Sequence, residues 1–329
     1  MDPEEFRARL EELTSGFTYS QILFTALRAN LFTYLEGSVK AEDVARELGW
    51  SPRGTRMLLD GLVALGLVEK FDGDYCNAPI AAHCLIPGGP DDQTNIIIHK
   101  AHGWDNWGRL GEAVKSGESL RKPGHKRSPE ELRAFILGMA DIGRSSAKTV
   151  LDAVDFSPYR HILDVGGGPA TYPITFLGAH SEMRATVFDT PDVIPISREE
   201  VEKAGMLDRF NFVAGDLTRD NFGSGYDVVF ISNIIHMLSD DVNRDLVKRA
   251  CAALEPGGML IIKDFLTDKD HTGPPFSLLF ALQMLLHTQG GDTYSVDEVS
   301  VWTREAGFGE GRLVDITPQT RLWLAPKPA

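Results

Sequence analysis

Three aspartates stand at or just beyond the ends of short apolar segments in the second half of the chain. Asp164 lies in HILDVGGGPA, just before the glycines Gly166 and Gly168, Asp189 ends ATVFD, and Asp216 follows FNFVAG. A carboxylate beside a glycine-rich turn would repel a pyrophosphate but would attract a cation or an ammonium group. The pattern therefore predicts a nucleotide-like ligand that carries positive charge and no phosphate.

The glycine-rich turn matches a nicotinamide dinucleotide site poorly. That fingerprint requires GxGxxG, and Thr171 stands at the third glycine position. S-adenosylmethionine (SAM) carries a sulfonium and an ammonium and has no phosphate, so it suits the acidic strand ends better. We expect Asp189 to accept from ribose hydroxyls, Asp216 to accept from the adenine amino group, and Leu217 to cover the adenine ring. Each aspartate taken alone is equally explained as a turn former or helix cap, and the glycines as a tight turn.

A histidine and another aspartate follow the remaining two apolar segments. His236 comes shortly after YDVVFISN, and Lys263 and Asp264 end MLIIKD. A single histidine is more often structural than catalytic, but His236 belongs to the same predicted sheet edge as the methyl donor. There Asp264 would hold the imidazole in one tautomer and leave the other ring nitrogen free to take a proton. The pair predicts methyl transfer to a weakly acidic hydroxyl, with His236 as the general base.

Strands and helices alternate from His161 onward, which places these residues in a parallel sheet. The apolar segments HILDV, ATVFD, FNFVAGD, YDVVFIS and MLIIKD are separated by helical segments. Such alternation predicts crossover units and a doubly wound sheet, in which ligands bind outside the carboxyl ends of the strands. The tail GRLVDITPQTRLWLAPK predicts a closing pair of antiparallel strands.

The first hundred residues are predicted to be helical, with one short hairpin. YSQILFTALRANLFTYL carries apolar residues at helical spacing. KAEDVARELGWSPRGTRMLLDGLVALGLVEKFDGDYCNA predicts helix, turn, helix and a two-stranded wing that turns at Asp72-Gly73. Further helices follow to about residue 155, interrupted by the polar loop ESLRKPGHKRSP. The pattern is that of a winged helix followed by a helical connector.

Composition and charge disfavour several classes of protein. The chain has 329 residues, of which 43% are hydrophobic, and its formal net charge of −14 disfavours nonspecific binding to nucleic acid or anionic membranes. No segment has the roughly 18 consecutive apolar residues that span a bilayer, and the acidic start MDPEEFRARLEEL is unlike a secretory signal. We therefore expect a cytoplasmic protein. The three cysteines form no CxxC pair and the acidic residues lack metal-ligand spacing, so we predict no metal site.

The chain resembles SAM-dependent small-molecule O-methyltransferases of the caffeate and acetylserotonin type. The resemblance covers nearly the whole chain and rests on DVGGGPA, VFDTPDVI, GDL, NIIHMLSDD, EPGGMLIIKD, MLLHTQGG and REAGF. It implies an α/β fold class, with a Rossmann-like class I SAM methyltransferase domain and an all-α, winged-helix N-terminal dimerisation domain. The implied divisions are a winged-helix-like dimerisation domain at 1–95, a helical connector contributing to the acceptor pocket at 96–155, and a Rossmann-like SAM-binding catalytic domain at 156–329.

The resemblance also implies roles for individual residues. His236 falls on the family's catalytic base, and Asp264 falls where a supporting carboxylate, usually Glu, stands. Together with the aspartates and glycines above, the predicted SAM-binding residues are Asp164, Gly166, Gly168, Asp189, Asp216, Leu217 and Ser232. The residues predicted to bind a small aromatic or conjugated acceptor are Phe135, Met139, Trp104, Met284 and Thr288. Methionine and phenylalanine at helical spacing are otherwise core packing, and the tryptophans of HGWDNWGRL would otherwise bury against a dimer partner.

Three departures from the family pattern leave alternatives open. Ala170 stands where the family has glycine, HML replaces the usual HDW after the base, and Thr293 replaces a second supporting carboxylate. With one supporting acid, His236 would be held less firmly. Carbon, nitrogen and sulfur therefore remain alternative acceptor atoms, and a protein that binds SAM without methylating remains an alternative function.

A winged helix also suggests a DNA-binding regulator that senses SAM or a metabolite. Residues 1–95 contain 15 Asp and Glu against 8 Lys and Arg, a net charge of −7. The predicted recognition helix offers only Arg53 and Arg56 for contacts with phosphates, and its apolar residues fit a dimer contact better. We therefore expect a small-molecule acceptor, a homodimer formed through the N-terminal domain, and no nucleic-acid or membrane partner.

Overall fold

The computed structural model describes residues 2–121 and 127–329, apart from the side chain of Ile142. The chain divides into two compact units, Met1–Gly103 and Trp104–Ala329. The polar loop predicted from ESLRKPGHKRSP falls in part on residues 122–126, which lie outside the described residues. Each unit has a hydrophobic core of its own.

The N-terminal unit is helical with one hairpin. Its helices are α1 (Pro3–Arg28), α2 (Ala41–Leu48), α3 (Pro52–Ala64), α4 (Pro79–Cys84) and α5 (Thr94–His102), and its strands are β1 (Val68–Phe71) and β2 (Asp74–Asn77). Strands β1 and β2 pair in antiparallel fashion around Asp72 and Gly73, both of which have positive φ, and they form the predicted wing. Helix α3 begins where Ser51 Oγ accepts from the Gly54 N–H at 3.4 Å, with Pro52 in its first turn.

The helical segment predicted over YSQILFTALRANLFTYL is broken in the structure. Helix α1 ends at Arg28, and Asn30 adopts a left-handed conformation with φ 50° before a short 3-10 helix at Leu31–Leu35. Asparagine enters this conformation more readily than most residues, so the break follows from local chemistry that apolar periodicity does not record. Residues on both sides of the break are buried in the core of this unit.

In the described part of the chain, the second unit is a seven-stranded sheet covered by helices. Its helices are α6 (Trp104–Gly108), α7 (Leu110–Ser116), α8 (Pro129–Ala153), α9 (Thr171–Ala179), α10 (Ile194–Lys203), α11 (Asp240–Ala253), α12 (Pro275–His287) and α13 (Val296–Glu305). Its strands are β3 (His161–Val165), β4 (Arg184–Asp189), β5 (Phe210–Ala214), β6 (Tyr226–Ser232), β7 (Leu254–Asp264), β8 (Arg312–Asp315) and β9 (Arg321–Pro326). The predicted strands all form.

The sheet has the doubly wound order β5-β4-β3-β6-β7-β9-β8. Strands β3 to β7 pair in parallel, whereas β9 pairs in antiparallel fashion with both β7 and β8. Strand order reverses between β3 and β6, and a ligand crevice is expected outside the carboxyl ends of the strands at this point. Strands β8 and β9 are the closing antiparallel pair predicted from the C-terminal tail.

Apolar side chains alternate between two cores, one on each face of the sheet. Leu163 and Val165 of β3 pack in one core with residues of α11 and α13, and Ile162 packs in the other with residues of α8 and α9. Alternate residues of a strand point to opposite faces. Both faces are therefore covered by helices, and the polar residues that chemistry needs lie at the edge where the parallel strands end.

Candidate active site

Polar side chains lie at or near the carboxyl ends of all five parallel strands. Asp164 is the penultimate residue of β3, Asp189 ends β4, and Asp216 follows β5 by two residues. Ser232 ends β6 and Asp264 ends β7. Parallel strands end at the same edge, so the sheet brings these predicted residues to one side of the crevice.

His236 and Asp264 form a buried hydrogen-bonded pair. The Nδ1 atom of His236 lies 2.7 Å from Asp264 Oδ1, and both side chains are buried. His236 belongs to a 3-10 turn that follows β6, and Asp264 ends the neighbouring strand β7. Asp264 Oδ1 also accepts from the Phe265 N–H at 2.8 Å, which fixes the carboxylate. With an ionised Asp264, which can only accept, Nδ1 would donate and Nε2 would keep a free lone pair.

Two phenylalanine rings lie next to the imidazole of His236, and a third packs against both of them. The Phe280 ring meets it edge-on at 5.0 Å between centroids, and the Phe265 ring lies at 5.7 Å. Phe276 stacks on Phe280 at 5.7 Å. Sequence reasoning missed these residues, although Phe276, Phe280 and Met284 recur every four residues and so share one face of α12. His236 therefore lies in an aromatic environment.

Two contacts fix the backbone around His236. Asn243 of α11 is fully buried, and its Nδ2 donates to Ile235 O at 2.9 Å. A Cβ on Gly291 would lie 2.4 Å from His236 O and 2.4 Å from Thr288 Oγ1. Glycine is therefore required where the loop after α12 passes the turn that carries the histidine. The glycine pair of MLLHTQGG is a close-packing feature of the site.

Asp164 is a buried carboxyl with an unused oxygen. Among the described residues, its Oδ2 has no hydrogen-bond partner, and a Cβ on Gly167 would lie 2.6 Å from that atom. Burial, with a smaller contribution from negative Asp189, raises the pKa of Asp164 to about 8. A cationic group placed against Oδ2 would both fill the missing contact and favour the ionised form.

Asp189 holds the glycine-rich turn in shape. Its Oδ2 accepts from the Gly168 N–H at 2.9 Å and its Oδ1 from the Thr190 N–H at 2.7 Å. Burial raises the pKa of Asp189, and these hydrogen bonds oppose the rise. Gly166 and Gly168 both have positive φ, and a Cβ on Gly166 would lie 2.4 Å from Ile234 Cδ1. Each carboxylate oxygen retains a second lone pair for a ligand.

The remaining predicted SAM-binding residues at the strand edge are Asp216, Leu217 and Ser232. Asp216 lies on an exposed turn, where hydrogen bonds from the side chain and N–H of Thr218 lower its pKa, so it is an ionised acceptor at neutral pH. Leu217 Cδ2 would lie 3.6 Å from a Cβ on Gly166, next to the glycine-rich turn. In the described part of the chain, the buried Ser232 Oγ has no hydrogen-bond partner.

Family models match most of the chain. A model of the O-methyltransferase domain matches residues 114–309, and a model of the O-methyltransferase dimerisation domain matches residues 11–86. The chain belongs to the O-methyltransferase family. The resemblance stated from the sequence motifs, the fold class and the methyltransferase class are therefore confirmed.

Named relatives support the assignment over nearly the full length of this O-methyltransferase. It is 33% identical over 312 residues to the 3-hydroxy-5-methyl-1-naphthoate 3-O-methyltransferase of Streptomyces sahachiroi. The match covers 93% of this chain and 90% of the relative. It is 31% identical over 327 residues to the tetracenomycin polyketide synthesis 8-O-methyl transferase TcmO of Streptomyces glaucescens, with 96% of each covered. The crystal structure of human N-acetylserotonin methyltransferase in complex with SAM has a TM-score of 0.89 at 25% identity, covering 100% of this chain and 99% of that chain.

The residues predicted to bind the acceptor of this methyltransferase lie on or next to three helices. Phe135 and Met139 are half-buried on α8, and Trp104 is half-buried at the start of α6. Met284 is buried on α12, and Thr288 Oγ1 donates to Met284 O at 2.8 Å. The structure thus joins Met284 and Thr288 to the helix that carries Phe276 and Phe280, whereas Phe135 and Met139 lie on α8 and Trp104 on α6.

Two of the departures from the family pattern have structural accounts. Ala170 is buried in a left-handed conformation with φ 60°, which costs an alanine about 1–2 kcal/mol. The Thr293 hydroxyl donates to Ser277 O at 3.1 Å, so this residue ties the loop to α12. Asp264 is the carboxylate that His236 contacts.

No group of three or more His, Cys, Asp or Glu among the described residues is arranged to hold a metal ion. No described helix is both long enough and apolar enough to cross a bilayer.

Proposed function

We propose that this O-methyltransferase moves the methyl group of SAM to a hydroxyl of a small aromatic or conjugated acceptor, with His236 as the general base. The observation that carries the proposal is the buried 2.7 Å contact between His236 Nδ1 and Asp264 Oδ1. It leaves Nε2 as a proton acceptor at the strand edge to which the methyl donor is assigned. SAM supplies an electrophilic methyl group on a sulfonium that leaves as a neutral thioether.

The residues of the strand edge fit SAM. The unpartnered Oδ2 of Asp164 suits the ammonium of the methionine arm. Asp189 retains lone pairs for the ribose hydroxyls, Asp216 is an ionised acceptor for the adenine amino group, and Leu217 is placed to cover the adenine ring. The human N-acetylserotonin methyltransferase that this chain resembles is in complex with SAM, which supports SAM as the donor here.

His236 would remove the proton as the acceptor oxygen attacks. Nε2 takes the hydroxyl proton while the oxygen forms a bond to the methyl carbon and the bond between that carbon and sulfur breaks. Asp264 holds the Nδ1–H and stabilises the imidazolium, which then gives its proton to water. The products are a methyl ether and S-adenosylhomocysteine (SAH). A positioned base contributes about 10²–10⁴ in rate.

The acceptor is proposed to be a flat, largely apolar ring system. The rings of Phe265, Phe276 and Phe280 lie 4.6 to 5.7 Å from one another between centroids, next to the proposed base. Met284 continues the face of α12 that carries Phe276 and Phe280. The names of the two Streptomyces relatives specify a naphthoate and the tetracenomycin polyketide as what those enzymes methylate or help to make. Both facts favour an aromatic or conjugated acceptor for this chain.

We also infer a homodimer formed by the N-terminal unit. The match to the dimerisation domain over residues 11–86 supports it. In α1, Phe6, Leu10, Leu13 and Phe17 are exposed at spacings of four, three and four residues, and so they form one apolar face. A second copy of the chain is the partner that this domain assignment favours.

The proposal is tested by measuring donor binding and methyl transfer separately. Calorimetry with SAM and SAH is expected to show micromolar affinity for SAH. A transfer assay with radiolabelled SAM then compares 2-naphthol with 2-naphthylamine and 2-naphthalenethiol, which present nitrogen and sulfur on the same ring. We expect label in the naphthol ether. Absence of SAH binding, or label only in the amine or thiol, would contradict the proposal.

A further inference from the structure

Basic side chains cluster between the start of α8 and the end of α12, away from the strand edge. The Arg127 guanidinium is half-buried and lies 4.1 Å from the Phe135 ring centroid. The charge of Arg121 acts on Arg127, and both arginines act on His287 at the end of α12. Arg121, Arg127 and His287 together form a basic cluster.

Hydrogen bonds hold Ser119 and Arg121 against the end of α12. Ser119 Oγ donates to Leu286 O at 3.1 Å, and Gln289 Nε2 donates to Arg121 O at 2.9 Å. These contacts join the main chain around Arg121 to α12 at residues on both sides of His287. The basic cluster is therefore built on the same helix as the phenylalanines beside the base.

Among the described residues Arg127 forms no ion pair, and Glu131 is the carboxylate whose charge acts on it. Its electrostatic neighbours are Arg121 and Glu131, and the Glu131 carboxylate accepts from the Ser128 N–H at 2.8 Å in a capping box. Residues 122–126 contain no Asp or Glu. Burial and the two arginines lower the pKa of His287, whose Nδ1 lies 3.0 Å from Gln283 O, so its imidazole is neutral at pH 7. A half-buried guanidinium that forms no ion pair favours an anionic ligand.

Helix α12 gives the distance between the basic cluster and the base. Phe280, whose ring lies 5.0 Å from the His236 ring, Met284 and His287 recur at intervals of four and three residues and so share one face. The seven residues from Phe280 to His287 span about 10 Å of helix. An acceptor with its hydroxyl at His236 would have to extend about 10 Å to reach His287 of the basic cluster, a length that two or more fused rings provide.

We propose that Arg127 binds a carboxylate of the acceptor, so that the substrate class is fused-ring aromatic carboxylates bearing a hydroxyl at the opposite end. This inference rests on the proposed function. A guanidinium binds a carboxylate through two parallel hydrogen bonds and stacks on an aromatic face, and Arg127 already lies over Phe135. The methionine arm of SAM is another source of a carboxylate, but its ammonium is assigned to Asp164 at the end of β3.

The test compares three acceptors with the same ring system in the full-length protein. The probes are 6-hydroxy-2-naphthoate, its methyl ester and 2-naphthol, which share the hydroxylated ring and differ in the anionic group. We expect kcat/KM for the free acid to exceed the other two by at least tenfold. Arg127→Gln should lower kcat/KM for the acid by about ten- to a hundredfold, the effect of losing a charge-assisted hydrogen bond. The loss should lie in KM, and the value for 2-naphthol should not change.

Two further variants test whether the effect depends on the charge at position 127 and is specific to that position. A binding measurement tests whether it concerns the acceptor rather than the donor. Arg127→Lys keeps the charge and should recover part of the affinity for the acid. Arg109→Gln removes an exposed arginine that pairs with Glu112 at 2.7 Å and should behave as wild type. Calorimetry should show unchanged SAH affinity in Arg127→Gln and weaker binding of the acid to the SAH-loaded protein.

Several results would overturn the assignment of Arg127. Equal kcat/KM for all three probes would do so, and so would equal losses for all three in Arg127→Gln. Weakened SAH binding would instead assign the arginine to the donor. If no probe is methylated, unchanged binding of the acid to SAH-loaded Arg127→Gln overturns the proposal. Failure of SAH to bind at all, by contrast, counts against the proposed function.

Discussion

Burial gives different chemistry to three polar side chains of the strand edge. His236 and Asp264 are buried together and form a hydrogen bond between Nδ1 and Oδ1. Asp164 is buried as deeply, and its Oδ2, like that of Asp264, has no partner among the described residues. Asp164 has no such imidazole contact, and its pKa is raised to about 8. We propose that the first pair accepts a proton, whereas Asp164 is mostly protonated at neutral pH.

Binding of SAH at pH 7 is expected to release close to one proton from Asp164. The pKa of about 8 leaves most of this carboxyl protonated in the free protein, and the ammonium of the bound ligand lowers the pKa and expels the proton. The release should shrink above pH 8, where the carboxyl is already ionised. Calorimetry in buffers of different ionisation enthalpy measures the number of protons.

Asp164→Asn provides the matched control for proton release. The amide is nearly isosteric but cannot ionise, so SAH should bind more weakly and release a much smaller fraction of a proton. An unchanged release in Asp164→Asn would show that another group, such as Asp189, is responsible, and would remove Asp164 from the ammonium site.

At the scale of elements, α12 and the loop after it position His236. Phe280 of the helix meets the imidazole edge-on, Phe276 stacks on Phe280, and Gly291 passes close to the His236 backbone. Thr293 ties the same loop to Ser277 near the start of the helix. A change in this loop should therefore be transmitted to His236 without touching the donor residues.

Gly291→Ala is expected to lower turnover while leaving SAH affinity unchanged. The new Cβ would lie 2.4 Å from His236 O, so the turn that carries the base must shift, and overpacking of this kind costs about 1–3 kcal/mol of stability. Radiolabelled methyl transfer and calorimetry measure the two effects. Gly108→Ala is the control, since a Cβ there meets nothing within 4 Å. Wild-type turnover in Gly291→Ala would contradict the role given to this contact.

The sequence predicted those parts of the site that depend on strand order and on residues next to a strand end. Asp164, Asp189 and Asp264 could be assigned to one edge because the carboxyl ends of parallel strands meet there. The contact of Asp189 with the Gly168 N–H, and that of Phe280 with His236, could not be predicted, because each joins segments whose spacing is set only by packing. The break of α1 before Leu31 was missed since apolar periodicity is insensitive to one left-handed asparagine.

At the scale of the whole molecule, the N-terminal unit carries the features of an interaction domain rather than of a DNA reader. Its first 95 residues have a net charge of −7. Arg56 of α3 is paired with Asp60 at 2.7 Å, which removes one of two arginines from any contact with phosphate. The exposed apolar face of α1 lies partly within the match to the dimerisation domain and favours contact with a second copy.

Charge on the apolar face of α1 is expected to produce a monomer. Wild-type protein should scatter light as a species of about twice the 36.2 kDa chain mass, because the exposed face is buried between two copies. The double variant Leu13→Asp, Phe17→Asp should scatter as a single chain, since both side chains are exposed within one chain and their replacement by charge opposes association. Glu12→Gln, beside the face, should remain dimeric. A dimeric double variant would assign the interface elsewhere.

The central claim is that the Asp264-oriented imidazole of His236 takes the acceptor's proton, and the variant His236→Ala tests it most directly. Methyl transfer to the acceptor identified by the radiolabel assay should fall at least about a hundredfold, the lower end of the contribution of a positioned base. SAH affinity measured by calorimetry on the same preparation should stay at the wild-type value, because the donor contacts lie on other strand ends. Turnover at the wild-type rate with intact SAH binding would contradict the claim.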